Sequence, residues 1–178
     1  YVNDYDTWNW QLDKNYSTKD YENVEMLNLM FWFYPSKLRM NFVTKKLIVK
    51  NDFFVNRHNH ELYVTLKQKQ NEYLEKKSRL AQIKAMKFND IIYNVAVVTA
   101  EQYISELGNR LINDYNVPIS IVISNENVSL RGDSKNDTIN VGEIAKKYFN
   151  GGGHENAAGG TLRNADNDVK QILLSYFN

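Results

Sequence analysis

No cysteine occurs in the 178 residues, which excludes a disulfide framework and thiolate chemistry and fits a reducing compartment. A long apolar run is also missing. The most apolar stretch, Val24 to Tyr34, is interrupted by Glu25 and Asn28 and is too short to span a bilayer. No secretory leader is visible, so the expected location is cytoplasmic, with no membrane partner. Neither charge is in excess. The 22 basic and 21 acidic residues leave a formal net charge of +1, which argues against a broad duplex-binding surface and confines any anionic ligand to a local pocket. Internal repeats and low-complexity segments are absent. What remains is 43% hydrophobic and 24% charged, ordinary for a globular protein and long enough for one large or two small domains. The chain starts at Tyr1 rather than Met, and its first residues read like the inside of a domain, so the expectation is a fragment or a processed chain.

Trp8 and Trp10, among Asp4, Asp6 and Asp13, lie on one side of an extended segment and suit a half-buried strand or loop. Ser17-Thr18-Lys19-Asp20 resembles a capping box, after which Val24, Leu27, Phe31 and Tyr34 recur at helical spacing. Pro35-Ser36 stops that helix and opens another with Leu38, Phe42 and Ile48 inward, ending at Asn51-Asp52. From His58 to Met86 no Gly or Pro occurs. Leu62, Leu66, Tyr73, Leu80 and Ile83 form one narrow apolar stripe, which predicts a connector helix between two bodies, able to pair with a copy of itself as a homodimer. His58 and His60, two apart on that helix, point in different directions and do not share a metal. Its lysines read as a solvated face, with guidance of a nucleic-acid strand as the alternative.

Beyond the connector, strand and helix patterns alternate. Ile91–Val98 predicts a buried strand. Thr99-Ala100-Glu101-Gln102 reads as a second capping box, opening a helix through Leu111 and Ile112. Pro118–Ile123 and Val128–Arg131 predict a hairpin around Asn125-Glu126-Asn127, followed by short helices at Val141–Tyr148 and Val169–Tyr176. The fold class is therefore α/β: a C-terminal mixed-sheet α/β domain, joined by a long connector helix to a mostly helical N-terminal part.

The chain is organised around Asn150-Gly151-Gly152-Gly153-His154-Glu155-Asn156-Ala157-Ala158-Gly159-Gly160. Three consecutive glycines lose much backbone freedom on folding, a cost that makes sense where something approaches the backbone closely. The expectation is a glycine loop running into a helix N-terminus, which would offer free N–H groups to a phosphate or carboxylate. The alternative is a flexible surface loop.

Val128-Ser129-Leu130-Arg131, Val141-Gly142-Glu143-Ile144-Ala145 and Gly151-Gly152-Gly153-His154-Glu155-Asn156-Ala157-Ala158-Gly159 together resemble the DHH-associated substrate domain of the DHH phosphoesterases over residues 89–178. That family includes oligoribonucleases, phosphoadenosine phosphatases, the exonuclease RecJ and cyclic dinucleotide phosphodiesterases. Asn3-Asp4-Tyr5-Asp6-Thr7-Trp8-Asn9-Trp10 more distantly resembles the last metal-ligand motif of the family's catalytic domain, the oligoribonuclease and cyclic-nucleotide branch being the nearest. The resemblance implies that residues 1–57 are the tail of the catalytic domain, 58–88 the connector and 89–178 the substrate-binding domain. It implies two manganese ions in the complete enzyme, with Asp6 as the one ligand carried here. The Asp-His-His motif and the earlier aspartates do not occur in this chain, which alone is then expected to be inactive. Arg131 is implied to grip a phosphate, Gly151, Gly152 and Gly153 to bring backbone N–H groups to substrate, His154 to steady developing charge as the catalytic residue, and Asn156 to make a polar contact. Spacing alone leaves other readings open: a solvated surface arginine for Arg131, a helix cap for His154, a loop carboxylate for Asp6. The implied partner is a short single-stranded oligonucleotide or a nucleotide phosphate. The alternative is a non-catalytic nucleic-acid-binding module like the C-terminal domain of alanyl-tRNA synthetases.

Overall fold

The computed structural model describes residues 18–41, 53–54, 56–136 and 138–175. The Asp4–Trp10 motif with Asp6, the expected positions Phe42, Ile48, Asn51 and Asp52, and Tyr176 lie outside the described residues. The chain divides into two compact units, Tyr1–Asn71 and Glu72–Asn178.

In the first unit the described residues are helical. α1 (Thr18–Phe33) buries Val24, Leu27 and Met30, and α2 (Ser36–Asn41) follows the break at Pro35. The inward Leu38 expected on α2 is instead 47% exposed. α2 meets α1 through Arg39, whose guanidinium lies 4.3 Å from the Trp32 ring centroid and whose Nε donates to the Tyr34 carbonyl at 3.1 Å. α3 (Arg57–Ser78) is held in this unit by the Tyr63 hydroxyl, which donates to the Glu25 carboxylate at 3.0 Å, and by the Lys67–Glu25 ion pair.

The expected connector helix through Met86 is shorter. α3 ends at Ser78, and Gln82–Phe88 form strand β1. The buried face of α3 runs through Asn59, Tyr63, Gln70, Leu74 and Ser78, whereas Leu80 and Ile83 of the expected stripe are 55% and 44% exposed. Met86 and Phe88 alternate into the core as a strand requires. Asn89 and Asp90 (φ 48° and 67°) make the two-residue turn into β2 (Ile91–Thr99). Asn and Asp tolerate that left-handed conformation, so a hairpin forms without the usual glycine.

The second unit is a six-stranded mixed sheet in the order β1-β2-β3-β4-β6-β5. After β2 come α4 (Ile104–Tyr115), β3 (Ile119–Ser124), β4 (Asn127–Gly132), α5 (Val141–Tyr148), β5 (Gly152–His154), β6 (Ala157–Thr161) and α6 (Asn167–Leu174). β2 and β3 run parallel, and every other pairing is antiparallel. One core joins Val95, Val97, Ile119, Ile121, Ile123 and Leu130 to α5 and α6 through Ile144, Phe149, Val169 and Leu173. The opposite face sets Ala96, Val98 and Val122 against Leu107 and Leu111 of α4 and Leu74 of α3. Burial on both faces explains why the central strands read as unbroken apolar runs. β2 departs from the expected buried strand in its first half, where Ile92 is 70% exposed.

The expected capping box before α4 does not form, because Thr99 still belongs to β2. Tyr103 stands at the N-cap in the left-handed conformation (φ 52°) without a side-chain cap. The Tyr73 hydroxyl orders this loop, accepting from the N–H groups of Glu101 (3.0 Å) and Gln102 (3.2 Å) and donating to the Glu101 carboxylate (2.8 Å).

The end of β6 lies against the end of α5. A Cβ at Gly160 would stand 2.5 Å from the Phe149 Cβ and 2.7 Å from the Phe149 carbonyl oxygen. Gly160→Ala is therefore expected to destabilise the protein by about 1–3 kcal/mol through overpacking, seen as a lower urea midpoint. An unchanged midpoint would contradict the close approach.

Candidate functional site

The helix expected after the glycine run is a β-hairpin, β5–β6, with Glu155-Asn156 as its turn. The anion site built from that helix's N-terminus and dipole is thereby overturned. Ala157 to Gly160 lie in strand β6, where they pair with Arg131 through Val128 of β4. Small-residue runs of this kind are equally compatible with helix and strand, so pattern alone misreads them.

The hairpin is fastened at its turn and its base. The Glu155 carbonyl accepts from the Val141 N–H at 2.8 Å, at the start of α5, and the Asn156 carbonyl from the Gly132 N–H at 3.1 Å. At the base, Gly151 donates to the Ala145 carbonyl at 3.0 Å and Thr161 to the Phe149 carbonyl at 2.9 Å. Asn140 caps α5 by accepting from the Glu143 N–H at 3.0 Å. Asn156 thus sits in the turn, not inside a helix, and its backbone carbonyl holds the hairpin.

The glycines separate into two groups. A Cβ at Gly151 would meet the Gly159 carbonyl oxygen at 1.9 Å, and one at Gly153 (φ 150°) the Ala157 carbonyl oxygen at 2.5 Å. Both are demanded by the fold. A Cβ at Gly152 meets nothing within 4 Å, and one at Gly159 meets only the Val128 carbonyl oxygen at 3.4 Å. The fold demands neither. Gly152 and Gly159 face each other across β5 and β6, and Ser129 of β4 pairs with Gly159, leaving a strip of sheet almost bare of side chains.

Alongside runs a second row. Ser120 pairs with Arg131, Arg131 with Ala157, and Ala157 with His154. Directly paired residues of antiparallel strands project to the same face. Arg131 and His154 therefore stand on one face, two strands apart, roughly 10 Å at normal strand spacing, with only the Ala157 methyl between them. His154 is exposed at the sheet edge.

Arg131 is partly buried against α4. Its Nη2 donates to the Ser105 hydroxyl at 2.7 Å and its Nη1 to the Leu130 carbonyl at 2.9 Å, while the buried Nε has no partner. Burial pushes the guanidinium below its ordinary pKa, and nearby Glu106 works in the other direction. It is an oriented cation on an otherwise small-residue surface, well suited to an anion. Ser129 was legible in principle, since two-residue periodicity puts it on the face of Arg131. Ser105 carried no comparable signal.

No group of three or more His, Cys, Asp or Glu that could hold a metal exists among the described residues. The described residues thus do not fit the two-ion centre, and Asp6 lies outside them. His58 and His60 are both exposed on α3. No helix among the described residues is long and apolar enough to cross a membrane.

The sheet face of this α/β domain offers a held arginine, an exposed histidine and a glycine strip. Residues 89–176 match the family model described as the DHHA1 domain. The chain is 31% identical over 162 residues to the oligoribonuclease NrnB of Bacillus subtilis, covering 89% of this chain and 37% of that protein. Among solved structures it is similar to RecJ of Thermus thermophilus in complex with Mg2+ (TM-score 0.55, 15% identity, 91% of this chain and 26% of that chain). It is also similar to the pGpG-specific phosphodiesterase PggH of Vibrio cholerae (TM-score 0.53, 16% identity, 90% of this chain and 58% of that chain). At these identities the structural likeness concerns the fold. Residues 89–176 are a DHHA1 domain. It spans just over a third of the length of the oligoribonuclease it matches.

Gly152→Ala is expected to change stability by no more than about 0.5 kcal/mol, as at an open surface site, whereas Gly153→Ala, placed at a left-handed φ, should cost more than about 1 kcal/mol. Urea unfolding of the two variants distinguishes them, and equal losses would refute the division of the glycines.

Proposed function

We propose that this chain is the substrate-binding part of a metal-dependent phosphoesterase that hydrolyses short oligonucleotides. The observation that carries the reading is the shared face of Arg131 and His154 beside the Gly152–Gly159 strip. The relative named as an oligoribonuclease supports the substrate class, and the phosphodiesterase of similar fold agrees with it. Arg131 grips a phosphate with the η hydrogens that its internal bonds leave outward. His154 donates to a phosphate oxygen and steadies the charge that develops there. The bare strip lets sugar or base lie against the strand backbone, where a side chain would hold it away. The relevant partner is a short single-stranded oligonucleotide, with smaller nucleotide phosphates as related ligands.

The proposal includes two manganese ions in the complete enzyme. When bound, they supply Lewis-acid activation of water. Asp6 is the ligand proposed from this chain, which by itself is inactive. Its described residues hold and orient the substrate. The near-neutral overall charge favours a small local ligand over a long nucleic-acid surface.

In the complete protein, Arg131→Ala and His154→Ala should each cut hydrolysis of a short oligoribonucleotide by at least about tenfold, as loss of one charge-stabilising donor does. Unchanged rates in both variants would sink the site. If the chain alone hydrolyses a dinucleotide at full rate with manganese, the assignment of the metal centre to residues beyond it is wrong. Binding without hydrolysis by the complete protein would favour a nucleic-acid-binding module.

A further inference from the structure

We infer that Ser105 and Gly108 of α4 are positioning residues for Arg131, a bracket that aims its guanidinium along the binding face. The inference rests on the reading of Arg131 as the phosphate-gripping residue and goes one layer behind it.

The two residues lie three apart on α4, and so on one side of that helix. Gly108 leaves room for the arginine stem: a Cβ there would stand 2.8 Å from the Arg131 Cγ and 3.6 Å from its Cβ. Ser105 receives the other end of the side chain, accepting from Nη2 at 2.7 Å. Gly108 is itself located by Ser120, whose buried hydroxyl donates to the Gly108 carbonyl at 2.7 Å, and Ser120 is the β3 residue paired with Arg131. Helix, strand and arginine are thus tied in one loop of contacts. The Leu130 carbonyl takes Nη1 at 2.9 Å, so one donor on each η nitrogen is committed inward, and the planar group can turn little without breaking a bond.

The commitment has a consequence for binding. An exposed arginine samples many rotamers and loses that freedom when it grips a ligand. Here the restriction is met on folding, so less is lost per hydrogen bond to substrate. Ser105 provides no charge and is not placed in contact with the phosphate. Removing it should weaken binding only through Arg131.

The test is a double-mutant cycle on the full chain, with a 5′-phosphorylated adenosine dinucleotide as the probe and calorimetry or anisotropy as the readout. Ser105→Ala should raise Kd about fivefold, the worth of one net hydrogen bond. Ser105→Thr should restore it, because threonine keeps the acceptor oxygen. Gly108→Ala, which pushes the stem aside, should weaken binding by a similar factor. In an Arg131→Ala background neither substitution should weaken binding further, a non-additivity that a merely structural role would not produce. Thermal melting is followed in parallel, and if Ser105→Ala melts early the Gly108→Ala arm carries the cycle. If Arg131→Ala binds the probe as the parent does, the reading of the site itself fails. If Arg131→Ala is weak while Ser105→Ala and Gly108→Ala bind normally, or if the losses add, the bracket is overturned and the site reading stands.

Discussion

The close approach of backbone to backbone around Gly151, Gly153 and Gly160 determines where the sheet ends, and with it where His154 stands. Each of these positions would drive a Cβ into a carbonyl or α-carbon of a neighbouring segment, so the hairpin can lie this tightly only if all three lack a side chain. The same tightness places the Glu155 and Asn156 carbonyls within reach of Val141 and Gly132. The hydrogen bonds that follow satisfy groups that would otherwise be left buried without a partner. A three-residue edge strand with no side chain in the core gains its order from this fastening rather than from hydrophobic burial.

On that frame, polar chemistry has been moved to one face only. The other face of the same strands carries Leu130 and Ala158 into the core, where Phe149 at the end of α5 joins them, and burying a phenylalanine of that kind contributes about 1.5–3 kcal/mol. Alternation along β4 thus divides the work residue by residue: Val128 and Leu130 hold the sheet, while Ser129 and Arg131 take the opposite face. Arg131 links sheet and helix, because its stem packs beside Gly108 of α4 while its Nη2 reaches the Ser105 hydroxyl.

Much of the second unit was legible from residue types. The β2 and β3 runs, the Asn125–Asn127 turn and the helices of Ile144 and Leu173 follow from apolar period and turn chemistry, and all are found close to their expected positions. Three features were misread for identifiable reasons. Residues 82–88 lack Gly and Pro and continue a lysine-rich helix, so a strand is recognised only once Asn89 and Asp90 are known to take positive φ. Thr99 looks like a cap but pairs in β2 with Ile123. Ala157 to Gly160 suit a helix start as well as a strand, and only β4 beside them decides.

The family was determined by the sequence alone. Three ordered motifs, the last holding Gly151-Gly152-Gly153-His154, identify a DHHA1 domain without coordinates, because glycine placement and an arginine and a histidine at set spacing are local facts of the chain. Tertiary structure decided what those residues are. It turned a helix-dipole site into a hairpin site, separated the glycines that the fold requires from Gly152 and Gly159, and brought His154 level with Arg131. It also revealed Ser105, whose link to Arg131 spans 26 residues of chain. Strand register and helix packing are set by contacts between distant segments, and no local pattern encodes which segment arrives beside which.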